Sequence, residues 1–312
     1  MKPLSLAKAV QFYLEQRRQL GFALKEDGQM LRQLVGYAAQ RQHRGPLTTE
    51  LAMTWAQSPA QASRLWWARR LDVVRRFAAF WRAFDGRTQL PPAGALGPAY
   101  RRRTVHLYTA EQIAALMQAA AGLDGLRGLS FQTLIGLLAC TGLRIGEALH
   151  LQRKDIDWVA GLLTVRHSKF GRSRCVPLHG SSVSALKSYL QQRQKYRPPA
   201  DRQAFFLGQN GRAISYAQAA YTFRHLREDL GWKREPVPRL HDLRHTFAVR
   251  CLIDWYRRGE DEVGQKVLSQ ATYLGHSHME GTYWYISAVP ELLALAQARW
   301  PQLARRHGGA HV

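Results

Sequence analysis

Four separated stretches of this chain carry side chains that could act together on a phosphate. The first is Thr141-Gly142-Leu143-Arg144-Ile145-Gly146-Glu147-Ala148-Leu149. The second is Ser168-Lys169, followed by Arg174-Cys175-Val176-Pro177-Leu178. The third is His241-Asp242-Leu243-Arg244-His245, and the fourth is Leu274-Gly275-His276-Ser277, with Tyr285 nine residues beyond that histidine. An arginine presents a planar fork that bonds two phosphate oxygens at once and stays charged. A tyrosine hydroxyl can attack phosphorus and hold the product as an aryl ester, and lysine and histidine can move protons. Such cations do work that a metal would otherwise do. The sequence has no cluster of carboxylates suited to two Mg²⁺ ions, so neither a metal nor a cofactor is expected.

The rest of the chain must position these groups. Its 312 residues suggest two domains, and a hydrophobic content of 46% excludes global disorder. Apolar runs such as Leu137–Cys140 and Phe77–Trp81 are far shorter than the ~20 residues of a membrane span. The N-terminal stretch lacks a signal-peptide apolar region and becomes charged at Glu15. Cys140, Cys175 and Cys251 stand far apart with no CxxC, against a zinc ribbon or a disulfide scaffold. A cytoplasmic protein without a membrane partner is the expectation.

Charge points to the partner. The formal net charge is +23, well beyond the ~2–8 units that solubility of a small domain requires. Residues 1–104 carry 18 basic and 6 acidic side chains, and residues 105–312 carry 27 and 16. Both halves are therefore positive, and a polyanion, nucleic acid first, is the expected partner.

Residues 1–86 read as a helical bundle. A helix starts after Ser5 and stops at Gly21, a second runs from Glu26 to Gln40, and a third from Thr49 to Gln57. Ser58-Pro59 reads as a cap with proline at the first helical position, opening a long helix to Phe84. Its aromatics suit a core. Its arginines, Arg69 and Arg76 among them, are expected to face phosphates. Residues 87–104 are rich in Gly and Pro, end in Arg101-Arg102-Arg103, and read as a basic linker. Beyond it, Thr109 with Gln112 forms a capping box, a helix is expected over Ser130–Ala139, and Leu162–His167 with Arg174–Leu178 reads as a hairpin around Lys169. From Ser181 the pattern is again mostly helical.

An Arg, Lys, His-x-x-Arg, His, Tyr series, in that order and in a basic chain, resembles the tyrosine recombinase (phage integrase) family. The resemblance covers the whole catalytic half, residues 105–312, and more weakly the N-terminal half as a core-binding domain. It implies a mainly α fold of α+β type, with an N-terminal helical bundle and a mostly helical catalytic domain bearing a small antiparallel sheet. By the same resemblance, Arg144 and Arg244 are the catalytic arginines and Lys169 is the hairpin general acid. His241 and His276 are the two histidines, Tyr285 is the nucleophile, and Glu147 is an acidic pocket residue. The implied activity is site-specific cleavage and rejoining of DNA through a 3′-phosphotyrosine, for integration, excision or resolution of a mobile element, without metal or ATP. The implied partners are double-stranded DNA with inverted-repeat sites and a homotetramer on that DNA, alone or with sister recombinases.

Alternatives stay open at this level. Tyr283 and Tyr273 rival Tyr285, Arg172 or Arg174 competes with Lys169, and His245 reads as structural. The stretch between His245 and His276 is longer than in familiar integrases, reading as an extra turn or loop. The helix opened by Pro290 could pack on its own domain or on a neighbour. A type IB topoisomerase-like enzyme and a catalytically inactive DNA-binding partner are the rival functions.

The charge distribution makes one measurement informative. DNA affinity is expected to fall steeply with salt, by a slope of about −0.9 in log K against log salt per phosphate neutralised. Filter binding or fluorescence anisotropy across a salt series reads it. A nearly flat dependence contradicts phosphate contacts from both halves.

Overall fold

The computed structural model describes residues 4–101, 104–166, 173–196, 203–258, 263–275, 283, 285 and 289–307, with side chains as far as 298. It divides into two compact units, Met1–Arg103 and Thr104–Val312. No described helix is long and apolar enough to cross a membrane.

The first unit is built of α1 (Leu6–Gln19), α2 (Lys25–Gln40), α3 (Thr49–Gln57) and α4 (Arg64–Trp81). Their apolar faces meet in one core containing Tyr13, Leu31, Leu34, Trp55, Phe77 and Trp81. The expected start of the fourth helix needs correction. Ser58 does not cap it, because its hydroxyl donates back to the Trp55 carbonyl (2.8 Å) and closes α3 instead. The Pro59 carbonyl accepts from the Trp67 indole (2.9 Å), and Ser63 supplies the cap, accepting from the Trp66 amide. Part of the expected linker is also built into the bundle. Gln89 accepts from the Thr49 amide (2.8 Å), Arg75 donates to the Pro91 carbonyl (2.7 Å), and Leu90 and Leu96 pack against the core.

The second unit opens with α5 (Ala110–Ala121), held by the Thr109–Gln112 capping box, and α6 (Gly125–Thr141). Helix α6 starts five residues before the expected Ser130. Gly128, in the added first turn, serves close packing. A Cβ at Gly128 would lie 2.2 Å from the Leu123 carbonyl oxygen, so only glycine lets the chain fold back that tightly. Helix α6 is apolar on nearly every side and lies at the centre of the core, with Leu134 and Ile135 fully buried. A short α7 (Ile145–Leu149) follows.

Strands β1 (Ile156–Asp157), β2 (Leu162–Val165) and β3 (Arg174–Pro177) form an antiparallel sheet in the order β1-β2-β3, with Leu163 opposite Val176 and Val165 opposite Arg174. Leu163, Val165 and Val176 turn into the core. The unit is completed by α8 (Gly180–Arg193), α9 (Tyr216–Asp229), α10 (Leu240–Arg257), α11 (Val263–Leu274) and α12 (Pro290–His307). Most of the long stretch after His245 is thus helical, in α10 and α11. A second cluster joins Ala248, Val249 and Leu252 of α10 to Val267 and Leu274 of α11 and to Tyr285, Val289 and Leu292. The first turn of α12 therefore packs on its own unit.

Gly142 ends α6 in the left-handed conformation, with φ +61°, and a Cβ there would lie 2.5 Å from Phe247. Gly142→Ala is expected to cost about 1–3 kcal/mol of stability through backbone strain, and more if Phe247 cannot yield. Urea unfolding measures it. A loss below about 0.5 kcal/mol would mean the turn is not held in this conformation.

Candidate active site

The site forms where three helix ends meet. Helix α6 stops at Gly142 and leaves its last carbonyls unpaired within the helix, and α11 does the same at Leu274. Arg244, one turn into α10, fills the gap. Its guanidinium donates to the Gly142 carbonyl (2.8 Å) and to the Leu274 carbonyl, and it is 2% exposed. Helix C-termini carry partial negative charge, which suits a buried cation. Burial, followed by repulsion from nearby Arg144, lowers the Arg244 pKa to about 10. It remains charged at neutral pH.

Arg144 occupies the N-cap position of α7. Its guanidinium donates to Glu147 (2.9 Å) and to the Gly275 carbonyl (2.8 Å), and about a quarter of its side chain faces solvent. Glu147 also accepts from the Arg144 amide (3.0 Å) and takes a two-pronged bond from Arg174 of β3 (2.9 and 2.8 Å). Arg174 donates as well to the Tyr273 carbonyl (2.6 Å). Arg174 is therefore a tie between sheet, α7 and the end of α11, and its guanidinium is engaged in those bonds. Burial alone would raise the Glu147 carboxyl, but hydrogen bonds from Arg174 and Arg144 outweigh it and hold the pKa at about 2.

Tyr285 is 2% exposed, and its hydroxyl lies 2.7 Å from Nδ1 of His245. Burial raises its pKa to about 12, while Arg244 and Arg144 are near enough to pull it the other way. His241 stands one helical turn before His245 on α10, its ring edge-on to that of His245 at 4.6 Å between centroids. Desolvation and then Arg244 lower the His241 pKa. The residue is open to solvent, which weakens the effect, so the direction is what matters: neutral imidazole is favoured near pH 7.

The fold brings Arg144, Glu147, Arg244, His241 and Tyr285 together. Lys169 and His276 lie outside the described residues, as do Arg102, Arg103 and Arg172. The tyrosine rivals separate clearly. Tyr283 is 52% exposed, and the Tyr273 hydroxyl donates to the Thr141 carbonyl (3.0 Å) with its ring stacked on Phe247. In the first unit Arg69 and Arg76 both pair with Asp27 (2.9 and 3.1 Å), and Arg101 is exposed. Sequence reasoning read His245 as structural and Arg174 only as a rival of Lys169, and so missed what each contributes to the pocket. His245 touches the candidate nucleophile, and its i, i+4 spacing from His241 was the available signal. Arg174 braces the pocket, for which its charge in a strand facing Glu147 gave no sign.

The pKa of Glu147 generates a test. Lying below the usual carboxylate value of 4.5, it adds stability above about pH 4.5 that disappears as the pH falls towards 2. The contribution is about 3 kcal/mol. Glu147→Gln is expected to be less stable at pH 7 and to lose less stability between pH 5 and pH 2 than the parent. Urea midpoints across that range report it, and parallel acid slopes would overturn the assignment.

Comparison with known proteins identifies the family. Residues 107–291, more than half of the chain, match the profile of the phage integrase family. The chain is 40% identical over 305 residues to an integrase/recombinase of Sinorhizobium fredii, y4rB, covering 94% of this chain and 96% of that one. It is 32% identical over 217 residues to tyrosine recombinase XerC of Chlamydia trachomatis, covering 70% of this chain and 65% of that one. Its fold is similar to that of the Tn1549 transposon integrase bound to transposon right end DNA, with a TM-score of 0.68 at 19% identity, covering 95% of this chain and 99% of that one. A basic chain in which two arginines and a tyrosine converge on one pocket, and whose sequence matches that profile over most of its second unit, belongs to the phage integrase family of tyrosine recombinases.

Proposed function

We propose that this protein is a site-specific DNA recombinase that cleaves and rejoins strands through a 3′-phosphotyrosine on Tyr285, in the movement or resolution of a mobile element. The observation that carries this reading is the Tyr285 hydroxyl, buried within the field of both Arg244 and Arg144. The two guanidinium groups hold the non-bridging oxygens of the scissile phosphate and stabilise the charge that grows on them as the nucleophile adds. Lys169 protonates the leaving 5′ oxygen. His276 donates to a phosphate oxygen, and His241 assists proton movement at the tyrosine. The aryl ester conserves the energy of the broken bond, so resealing needs no ATP.

Residues 1–86 of the first unit serve as the core-binding domain, and the basic end of the 87–104 linker, Arg101, Arg102 and Arg103, tracks the DNA backbone. Arg69 and Arg76 meet phosphates from α4 while sharing Asp27. The partners are double-stranded DNA with inverted-repeat sites and further copies of this chain, four on a paired complex. Likeness to the Tn1549 integrase, whose structure holds transposon end DNA, supports this reading.

Cleavage of a nicked suicide duplex carrying the element's own ends tests it. Wild-type protein is expected to form a covalent adduct in EDTA and without ATP, with the nucleotide on Tyr285 by mass spectrometry. Tyr285→Phe is expected to bind DNA and form none, and Tyr283→Phe to form it normally. Arg144→Ala and Arg244→Ala are expected to slow cleavage by about 10²–10³-fold or more with smaller losses of binding. Arg→Lys is expected to rescue poorly, since an ammonium lacks the fork. A binder without catalysis gives no wild-type adduct, and a topoisomerase-like enzyme relaxes supercoils without exchanging strands between two sites.

A further inference from the structure

We propose that His245, which touches the Tyr285 hydroxyl, takes its proton directly as that oxygen bonds to phosphorus, with His241 assisting from beside it. The inference rests on the reading of Tyr285 as nucleophile. Raised to about 12 by burial, this phenol is protonated at neutral pH, even with Arg244 and Arg144 drawing it down. It must therefore lose its proton during attack, and an acceptor must lie within hydrogen-bond reach, about 2.6–3.2 Å. Nδ1 of His245 meets that condition at 2.7 Å. The His245 ring also meets the phenol ring edge-on at 63°, 5.5 Å between centroids, so it contacts the tyrosine at its ring as well as at its hydroxyl.

The arrangement of α10 gives the two histidines different surroundings. His245 is partly buried beside Tyr285, in contact with the cluster that holds it. His241 lies one turn towards the helix start, edge-on to His245 and open to water. His245 is thus the contact to the nucleophile, and His241 is the more exposed ring beside it. Neutral His245 accepts at Nδ1 when its own proton is on Nε2.

In cleavage the Tyr285 Oη–P bond forms and the P–O5′ bond breaks. The electron pair leaves with O5′, which takes a proton from the general acid assigned to Lys169, while the tyrosine proton passes to Nδ1 of His245. In rejoining, the 5′ hydroxyl attacks, the Oη–P electron pair returns to the tyrosine oxygen, and His245 gives the proton back. No oxidant, metal or nucleotide is consumed.

Single-turnover cleavage of the suicide duplex by the full chain tests the assignment, with Tyr285 either natural or replaced by a more acidic trifluorotyrosine. His245→Ala is expected to slow cleavage by about 10²-fold or more, within the range of general acid–base catalysis. His245→Asn, which can accept a hydrogen bond but not keep a proton, is expected to be equally slow. The fluorinated phenol is expected to restore most of the lost rate in both variants and to give no gain in the wild type. A substrate with sulfur at the bridging 5′ position, whose leaving group needs no proton, is expected to rescue Lys169→Ala and not His245→Ala. Wild-type rates in His245→Asn, or no rescue by the acidic phenol in variants that bind DNA normally, would overturn the proposal. An adduct mapped to a tyrosine other than 285 would instead overturn the nucleophile reading, so the two failures are distinct.

Discussion

A buried guanidinium with its charge met by two helix ends is the constraint around which the second unit is organised. A cation removed from water is costly unless its donors are satisfied. Arg244 has the Gly142 carbonyl at the end of α6 and the Leu274 carbonyl at the end of α11. Those carbonyls would otherwise be orphaned where the helices stop. One side chain therefore closes two helix termini and aligns α6, α10 and α11. The glycine at 142 follows from the same constraint, because the turn must place its carbonyl towards α10 while leaving room for Phe247.

A second network hangs from the first. Glu147 is a single carboxylate shared by Arg144 and Arg174, and the geometry keeps it ionised. Arg144 needs it for aim, since an arginine on a short helix would otherwise sample many rotamers. Arg174 ties the same carboxylate to strand β3 and to the Tyr273 carbonyl. Strand β3 is thereby fixed against the arginine pocket. Exposed pairs elsewhere, such as Arg257 with Glu291, are solvated and contribute little by comparison.

Tyr285 joins these networks to the apolar cluster of α10 and α11. Its ring is part of that cluster, with Val289 and Leu292 packed alongside, and the Val289 amide donates to its carbonyl (3.2 Å). The hydroxyl end alone meets polar partners. A tyrosine suits such a boundary because its body is apolar and its tip is not. The result is a tyrosine hydroxyl sheltered from water yet within electrostatic reach of both arginines.

Much of this was legible in the residues themselves. The order of Arg144, His241, Arg244 and Tyr285, the +23 charge and the Thr109–Gln112 cap are local or compositional facts, and each was readable without a fold. The start of α4 was not, because Ser58 and Ser63 are both good caps, and the choice depended on which hydroxyl the Trp55 carbonyl and the Trp66 amide could reach. The start of α6 was hidden by glycines whose purpose is contact with residues outside the helix. Tertiary packing also decided between three tyrosines, placing Tyr285 among cations, Tyr273 against a main-chain carbonyl and Tyr283 in water. It gave Arg174 to Glu147, and it put His245 on the tyrosine hydroxyl. Side-chain type and spacing specify what chemistry a chain can attempt. Which atoms meet across 40 to 130 residues of sequence depends on the packing of helices against one another, and no local pattern encodes that.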